Sequence, residues 1–523
     1  MTNSLENKWL YGVIATFFVV FSIGIVYEQY WVLAIPVAVA IAGLAFFSLD
    51  KLMWFILFVT PLSITLTDKQ FNLGLSLPTE PLLFGVLCIV VFKWLSVKKS
   101  DPLFWKHPIV LAILFYLFWI LVTSLTSEFP IISLKYFLVK LWFIVPFFYV
   151  MVYMFRDDVK NYNRYLWVFL VPLSIAAIYT LTVHAQHDFS KSSSTWVMFP
   201  LFKEHTSWGA VLAIFYPVSI YLVVRKGDLG IRAIASVILI IMTLALVLSY
   251  TRAAWVSLIG AGIVYVLLYF KVKFSRILVL GLAGLIMLFA AREEIAKKFE
   301  GNKQDSSEQL GEHVQSISNV STDASNLERI NRWKSAYRMF EERPIVGWGP
   351  GTYMFVYAPF QKPHEKTIIS TNAGNRGNAH SEYLGPLAES GVLGMVSVIL
   401  LVTVLMVYGI KLYHSLDKGT LKDYTLLAIL GLITYFTHGF LNNFLDMDKA
   451  SAPVWGFWNN AEINNSGYNQ GYYKKLWQKQ AFLNFLSDGF RERLTLFWSN
   501  HFVTEYYDYN QSQYLYQYHS RLQ

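Results

Sequence analysis

Four cationic side chains and one histidine have the residue types that chemistry on a phosphate-bearing substrate requires. Arg252 stands between two apolar segments, Arg329 and Arg332 lie three residues apart, and His380 follows them along the chain. A guanidinium binds phosphate oxygens through paired hydrogen bonds, and a neutral imidazole can accept a proton from a hydroxyl. Lys140 lies inside an apolar segment, where a charge is costly and typically functional. We interpret Lys140 as a second phosphate contact.

Each of these residues also has a plain structural explanation. Arg252 could anchor a helix end at the membrane surface by extending its charge toward the headgroups. Arg329 and Arg332 could belong to an ordinary solvated helix face, and His380 could hydrogen-bond within its loop. Several other histidines lie in the same polar regions, so a single histidine is weak evidence of function. The residues alone leave both explanations open.

A predicted helix carries the paired arginines. Its apolar residues recur at helical spacing, at Ile330, Trp333, Tyr337 and Phe340. Ser325 and Glu328 have the spacing of a capping box at the start, and Pro344 ends the helix. This pattern predicts that Arg329 and Arg332 share one side of the helix, while the apolar stripe rests on the membrane or on other helices.

The next two segments complete the polar region. The glycines of Gly347-Trp-Gly-Pro-Gly351 predict a tight turn, because glycine tolerates positive φ. The segment Asn378-Ala-His-Ser-Glu-Tyr-Leu384 then leads into an apolar helix. Arg329, Arg332 and His380 are therefore expected in one loop domain against the membrane surface, a suitable place for an anionic lipid-linked substrate.

The elements around this region are predicted to be membrane-spanning helices. The chain has 523 residues, of which 55% are hydrophobic and only 15% charged. Apolar runs of about 17 to 22 residues suffice to cross a bilayer as helices. We predict an all-α polytopic bundle of about 12 to 14 spans. Its spans lie near 9–26, 31–48, 52–66, 81–97, 109–126, 134–155, 165–183, 208–224, 233–249, 253–270, 276–291, 391–410 and 424–441.

The same pattern predicts the domain organisation. Residues 1–291 form a transmembrane bundle, 292–390 a loop domain, 391–458 the C-terminal transmembrane helices and 459–523 a polar, aromatic-rich tail. Residues 67–80 are interpreted as partly re-entrant, and 301–326 as a flexible linker. The single cysteine, Cys88, lies within a span and cannot form an internal disulfide.

The distribution of charge predicts the orientation. The formal net charge is +9, yet most of the Lys and Arg residues fall in alternate short loops. Membrane topology explains them better than nucleic-acid binding, because basic loops stay on the cytoplasmic side. The loop domain of residues 292–390 then lies on the outer side of the membrane. No Cys/His cluster has zinc spacing, and no cofactor is predicted.

Three motifs in this order resemble the O-antigen ligase family of bacterial membrane glycosyltransferases. They are Thr-Arg-Ala-Ala-Trp255, then Glu-Arg329-Ile-Asn-Arg-Trp333 with Arg-Pro-Ile-Val-Gly-Trp-Gly-Pro-Gly351, and then Ala-His380-Ser-Glu-Tyr-Leu with Ala-Glu-Ser-Gly-Val-Leu-Gly394. The resemblance covers roughly residues 209–449. The family commonly has Asn after the histidine, where this chain has Ser381.

The resemblance implies a metal-independent, inverting glycosyltransferase in the bacterial inner membrane, with its active site facing the periplasm. The donor would be a glycan on undecaprenyl pyrophosphate, and the acceptor a sugar hydroxyl of lipid A–core. The family's two arginines fall on Arg252 and on Arg329, with Arg332 as the alternative, and its histidine falls on His380. Membrane lipids are implied partners, and nucleic acid is not.

Other functions stay open at this stage. Within the same superfamily, the acceptor could instead be a growing polysaccharide or a protein. A transporter for an amphipathic anion would use the same arginines to bind phosphate. Such a transporter typically has broken helices at the bilayer midplane, whereas this chain gathers its polar residues at the outer edge.

Overall fold

The computed structural model describes residues 48–68, 73–96, 102–157, 160–272, 276, 324–367, 370 and 377–463. The predicted spans 9–26 and 276–291, nearly all of the span 31–48, and most of the linker 301–326 and of the tail 459–523 lie outside these residues. The domain boundaries proposed from the sequence therefore stay predictions.

The described residues form helices joined by short loops, together with one two-stranded hairpin. In chain order they are α1 Leu49–Val59, β1 Ile64–Asp68, β2 Leu73–Leu77, α2 Thr79–Ser96, α3 Pro108–Leu125, α4 Pro130–Ile144, α5 Met151–Asp157, α6 Lys160–Ala185, α7 His205–Val224, α8 Leu229–Leu248, α9 Arg252–Tyr269, α10 Ala324–Glu342, α11 Leu384–Ser415, α12 Thr420–His438 and α13 Asp448–Ile463. A π-helical turn, Val145–Val150, joins α4 to α5 without a break in the helical path.

Eight helices among the described residues are long and apolar enough to cross a membrane. They are α2, α3, α4 with α5, α6, α7, α8, α9 and α11. This confirms the prediction of an all-α polytopic protein. Helix α12 is not among these eight. It packs on α7, α9, α11 and α13, and most of its residues are buried by protein.

The predicted span at 52–66 is wrong. Helix α1 ends at Val59, a 3₁₀ turn follows, and β1 then pairs antiparallel with β2. Pro61 lacks the amide donor that a continuing helix needs. The alternating Ile-Thr-Leu-Thr pattern after it favours a strand. The segment interpreted as partly re-entrant is this hairpin.

The loops sort to two ends of the bundle, as the alternation of charge predicts. At one end, Arg225 donates to Asn163 at 2.8 Å and the Tyr221 hydroxyl donates to Asp423. At the other end, Thr251 donates to the carbonyl of His205. The basic loops thus share the first end, and the polar loop domain lies at the second.

A glycine-rich turn fastens the loop domain to the helices. Gly347, Gly349 and Gly351 all have positive φ, which confirms the predicted turn. The Ser133 hydroxyl of α4 donates to the Pro350 carbonyl at 2.9 Å, and the Gly349 amide donates to the Glu389 carbonyl at 2.7 Å. The turn therefore holds the first turn of α4 and the beginning of α11 together.

Helix α11 changes direction at Gly391, whose φ is +69°. A β-carbon there would lie 2.1 Å from the Ile345 carbonyl oxygen, so only glycine fits. The carbonyl of Ser390 accepts a hydrogen bond from the Trp119 indole at 2.8 Å. The kink separates a short outer segment of α11 from its long apolar segment.

Replacing Gly349 with alanine tests the importance of the glycine-rich turn. The new methyl group would lie 1.9 Å from the Ser127 hydroxyl, at a φ of +112°. We expect Gly349→Ala to destabilise the protein by at least about 2 kcal/mol, from strain and overpacking. A lower melting temperature of the purified protein measures this loss.

Gly85→Ala is the control, because a β-carbon at Gly85 in α2 meets nothing within 4 Å. It should leave the melting temperature unchanged or raise it slightly, since alanine is the better helix former. Equal effects of the two substitutions would contradict the assigned role of the turn.

Candidate active site

Helix α10 buries a polar face against the loop domain. Glu328, Asn331, Arg332, Ser335 and Met339 are all buried. The apolar stripe predicted from the sequence is only partly exposed. Tyr337 is 53% exposed, whereas the Trp333 indole donates to the His380 carbonyl at 3.4 Å. The helix begins at Ala324, and the Glu328 carboxylate pairs with Arg332.

Arg332 is held on several sides. Its Nε donates to Glu328 at 2.8 Å, its Nη1 donates to the Asn378 carbonyl at 3.3 Å, and its guanidinium lies over the Tyr357 ring. A β-carbon on Gly377 would collide with this guanidinium. Arg332 therefore fastens the segment before His380 to α10, and its charge is already balanced by a carboxylate.

Arg329 lies one turn earlier and faces the turn after α12. Its Nε donates to the Leu441 carbonyl at 3.2 Å, and its Nη1 donates to the Asn326 side chain at 3.3 Å. Its charge acts on His380, on His438 and on the Glu204 carboxylate. Arg329 thus brings a guanidinium to the same place as His380.

His380 has a left-handed backbone conformation, with φ of +49°. Its amide donates to the Asn378 side chain at 3.1 Å, and its carbonyl accepts from the Trp333 indole at 3.4 Å. A left-handed conformation at a residue other than glycine costs about 1 to 3 kcal/mol and often marks a functional position. The contacts to Asn378 and Trp333 hold the backbone of His380 in this conformation despite the strain.

The imidazole of His380 is neutral at physiological pH. Burial and the charges of Arg329 and Arg332 lower its pKa from 6.5 to about 3, and a hydrogen bond with Asn442 opposes this shift. The sequence alone suggested a histidine that titrates near its usual pKa. The difference in pKa arises because the ring is buried and because both arginines are close to it in space.

Arg252 begins α9 at the same end of the bundle. The hydroxyl of the preceding residue, Thr251, donates to the His205 carbonyl at 2.9 Å, and Thr251 packs closely on Gly209. The neighbouring Glu204 is within electrostatic range of Arg329. The start of α9 and the arginine of α10 therefore border the same loop, that of residues 203–205.

Glu382 joins the His380 segment to the turn that follows α12. Its carboxylate accepts hydrogen bonds from the amides of Phe444 and Leu445, at 2.8 and 3.0 Å, and from the Tyr435 hydroxyl. Its own amide donates to the Gly439 carbonyl at 2.8 Å. Burial raises the pKa of the Glu382 carboxyl, an effect that the charge of Lys140 opposes.

Lys140 forms an ion pair below this turn. Its ammonium group is 2.5 Å from Asp446 and 3.3 Å from the Leu445 carbonyl, and its side chain is only 2% exposed. The carboxylate of Asp446 therefore already balances the charge of Lys140. A role as a phosphate contact stays a prediction, and it would require the ion pair to open.

Several buried polar atoms beside Arg329 and His380 have no hydrogen-bond partner among the described residues. They are both ring nitrogens of His438, the Nδ2 of Asn442 and the Oδ1 of Asn443. Buried polar groups are almost always hydrogen-bonded, so an unpaired group requires an explanation. Three residues of this kind next to a guanidinium and a neutral imidazole indicate a place that binds a polar molecule.

A cavity of about 220 Å³ adjoins the His380 segment. Residues on both sides of His380 line it, together with tyrosine rings and carboxyl groups of several helices. They include Tyr116, Tyr136, Tyr353, Asn378, Ala379, Ser381, Glu382, Glu389 and Asp446.

Sequence reasoning missed the residues after α12. Asn442, Asn443, Asp446 and Glu382 were not among the predicted site residues. The available signal was a group of amides and carboxylates directly after an apolar segment, where polar side chains need partners. Nothing in the sequence indicated which residues those partners were.

The contribution of the Lys140–Asp446 ion pair to stability can be measured separately from any role of Lys140 in binding. Asp446→Asn should destabilise the protein by about 2 kcal/mol, less than for a fully buried pair because Asp446 is partly exposed. The double variant Lys140→Met/Asp446→Asn should recover this stability, because it leaves no unpaired buried charge. Melting temperatures of the three proteins provide the test, and a double variant no more stable than Asp446→Asn would contradict the pairing.

The depressed pKa of His380 predicts a dependence of stability on pH. The unfolded chain binds a proton near pH 6.5 and the folded protein only near pH 3, so stability falls as the pH drops below 6.5. At pH 5 the loss is roughly 2 kcal/mol. His380→Asn should flatten the fall in melting temperature between pH 7 and 5, because asparagine tolerates positive φ and does not titrate.

His364→Asn provides the comparison, since the His364 side chain is 75% exposed. Its pH dependence should match that of the unmodified protein. A His380→Asn protein with the unmodified pH dependence would show that this histidine is not the group responsible.

The chain was compared with known proteins. A family model described as O-antigen ligase matches residues 237–399, and this segment includes Arg252, Arg329, Arg332 and His380 but not Lys140. A search of curated proteins finds no match. The resemblance to the O-antigen ligase family is therefore confirmed over residues 237–399.

Proposed function

We propose that this protein transfers a glycan from undecaprenyl pyrophosphate to a sugar hydroxyl of an acceptor. The acceptor oxygen attacks the anomeric carbon of the donor glycan, and the bond from that carbon to the pyrophosphate oxygen breaks. A single displacement of this kind inverts the anomeric configuration. His380 accepts the hydroxyl proton, and undecaprenyl pyrophosphate leaves.

The observation that carries the proposal is the meeting of Arg329, His380 and the unpaired polar atoms of His438, Asn442 and Asn443. A pyrophosphate carries several acceptor oxygens, and a glycan carries hydroxyls that both donate and accept. The pyrophosphate and the glycan could together supply hydrogen-bond partners for the side-chain amides of Asn442 and Asn443 and for the ring of His438. The guanidinium supplies the charge that a developing pyrophosphate anion needs.

The low pKa of His380 fits a site that becomes active when the donor binds. With both arginines close by, the imidazole is neutral but a weak base. A bound pyrophosphate would offset the positive charges and raise the pKa of His380. The base would then be strongest when the substrate is present. This explains how one residue can lie beside two cations and still accept a proton.

The remaining predicted residues take different roles in this scheme. Arg252, at the edge of the same loop, is proposed to bind the pyrophosphate together with Arg329. Arg332 is paired with Glu328 and positions the segment that carries His380. Lys140 is proposed to contact phosphate only if Asp446 moves away. The arginines supply the charge stabilisation, so we propose a mechanism that needs no metal.

The two ends of the bundle suggest the location. The basic loops lie at the end opposite the site, and such loops face the cytoplasm. We place the protein in the bacterial inner membrane with the site facing the periplasm. The donor's lipid tail would then lie among the helices, and its sugar would enter the cavity lined by tyrosine rings and carboxyl groups.

Lipid A–core is our preferred acceptor, as in the ligation of O-antigen. A polymerase that joins repeat units, or a transferase that modifies protein, would use the same donor chemistry. These functions differ in the acceptor alone, and a transporter of lipid-linked glycan differs in having no chemical step. Each therefore leaves a different product in cells that lack the protein.

The test compares cells that lack the protein with cells that express the unmodified chain, His380→Asn or Arg329→Gln. For a ligase, loss of the protein removes long-chain lipopolysaccharide, and polymer accumulates on the lipid carrier. His380→Asn should lower transfer by about a hundredfold or more, and Arg329→Gln by a similar factor. Gel profiles of surface glycans and analysis of carrier-linked glycans measure both effects.

Arg343→Gln is the matched control, because Arg343 pairs with Glu128 away from His380. It should support normal transfer at the same protein level. Accumulation of single repeat units would identify a polymerase, and loss of protein glycosylation would identify a protein as the acceptor. Full rescue by both His380→Asn and Arg329→Gln would refute the proposed mechanism and favour transport.

A further inference from the structure

A large groove opens at the end of the bundle opposite His380. It encloses about 1210 Å³, more than the roughly 300 to 1,000 Å³ of a typical small-molecule site. Helices α7, α8, α9 and α12 form its walls, together with the loops 225–228 and 419–420. Of the segment that matches the O-antigen ligase model, only α9 lines the groove, and the proposed transfer reaction makes no use of this space.

The groove has apolar walls. Ile220 and Val224 of α7 and Ile231 of α8 line it and are 42%, 68% and 42% exposed. Leu258 of α9 and Leu430 of α12 line its deeper part. Among the described residues no helix covers these apolar side chains, and an acyl chain is the apolar occupant that a membrane supplies.

The depth of the groove matches one leaflet of a bilayer. Its lining extends along α12 from Thr420 to Leu430. Ten residues of helix rise about 15 Å, which is half of the roughly 30 Å hydrocarbon thickness. An acyl chain inserted from this end would therefore be covered along its length, and its headgroup would lie level with the loops.

Cations surround the mouth of the groove. Arg225, Lys226 and Arg232 line it, against the carboxylates of Asp228 and Asp423. No ion pair among the described residues joins these five groups. Asp228 accepts from the Ile231 amide and Asp423 from the Tyr221 hydroxyl, while Arg225 and Arg232 donate to neutral oxygens. The mouth keeps a net positive charge that an anionic headgroup would complement.

We infer that this groove binds an anionic phospholipid, with its phosphate at Arg225, Lys226 and Arg232 and one acyl chain between α7, α9 and α12. The lipid is a bound structural partner and not the glycan donor, whose proposed site lies at the other end of the bundle. The inference is independent of the proposed reaction.

Two variants test the two halves of this site. Lys226→Gln/Arg232→Gln removes charge at the mouth. Gly262→Phe fills the apolar part, because a β-carbon at Gly262 meets nothing within 4 Å and the residue lines the groove. The matched controls are Lys93→Gln, an exposed cation at the same end, and Gly85→Phe, which is equally open but lies in α2 outside the groove.

The full-length proteins are inserted into nanodiscs made from equal parts of phosphatidylglycerol and phosphatidylcholine, then extracted gently. Native mass spectrometry counts the lipids that stay bound. We expect the unmodified protein and both controls to retain more phosphatidylglycerol than phosphatidylcholine. The double variant should lower that preference about fivefold for each cation removed, and Gly262→Phe should remove the bound lipid while the protein stays folded.

Equal retention of the two lipids by the unmodified protein would overturn the inference. So would a loss of lipid in Gly85→Phe and Lys93→Gln as large as in the groove variants. Displacement of the lipid by inorganic phosphate alone would also overturn it, since the site would then recognise a soluble anion. Transfer activity is not the readout, so failure here leaves the proposed reaction untouched.

Discussion

The candidate site depends on one buried carboxylate. Glu382 accepts hydrogen bonds from two backbone amides of the chain after α12 and from the Tyr435 hydroxyl of α12 itself. A buried carboxylate without such partners would be strongly destabilising. The folded protein therefore keeps the His380 segment and the turn at 439–445 in contact, and the unpaired groups of that turn are brought to His380 by the same contact.

Other contacts extend from this point in two directions. Below the turn, Lys140 and Asp446 connect it to α4, and above it Arg332 connects the His380 segment to α10. The kink at Gly391 lets α11 leave the loop domain and enter the bundle. Charged residues in this site thus join helices to loops, and Arg329 likewise joins α10 to the turn after α12 through the Leu441 carbonyl.

Much of this arrangement could be predicted from the sequence, because its signals are local. Apolar runs predicted most of the described helices, glycines predicted the turn at 347–351, and the motifs identified Arg329 and His380. The predictions that were wrong or incomplete concern features that no local apolar pattern indicates. The hairpin after Pro61 was hidden by its hydrophobic residues. The buried face of α10 is polar, so an apolar pattern could not reveal it. The partner of Lys140 lies about three hundred residues away, beyond any local signal.

The partly exposed stripe of α10 has a practical consequence. Among the described residues, about half of the Tyr337 side chain on the helix that carries Arg329 is left uncovered, so the position of this helix depends in part on the amphiphiles around it. In a bilayer, the headgroup region supports that side of the helix along a flat plane. In a micelle, the support is curved and fluid. Measurements in detergent and in bilayers are therefore measurements on two differently supported arginines, and the bilayer is the proper reference for this protein.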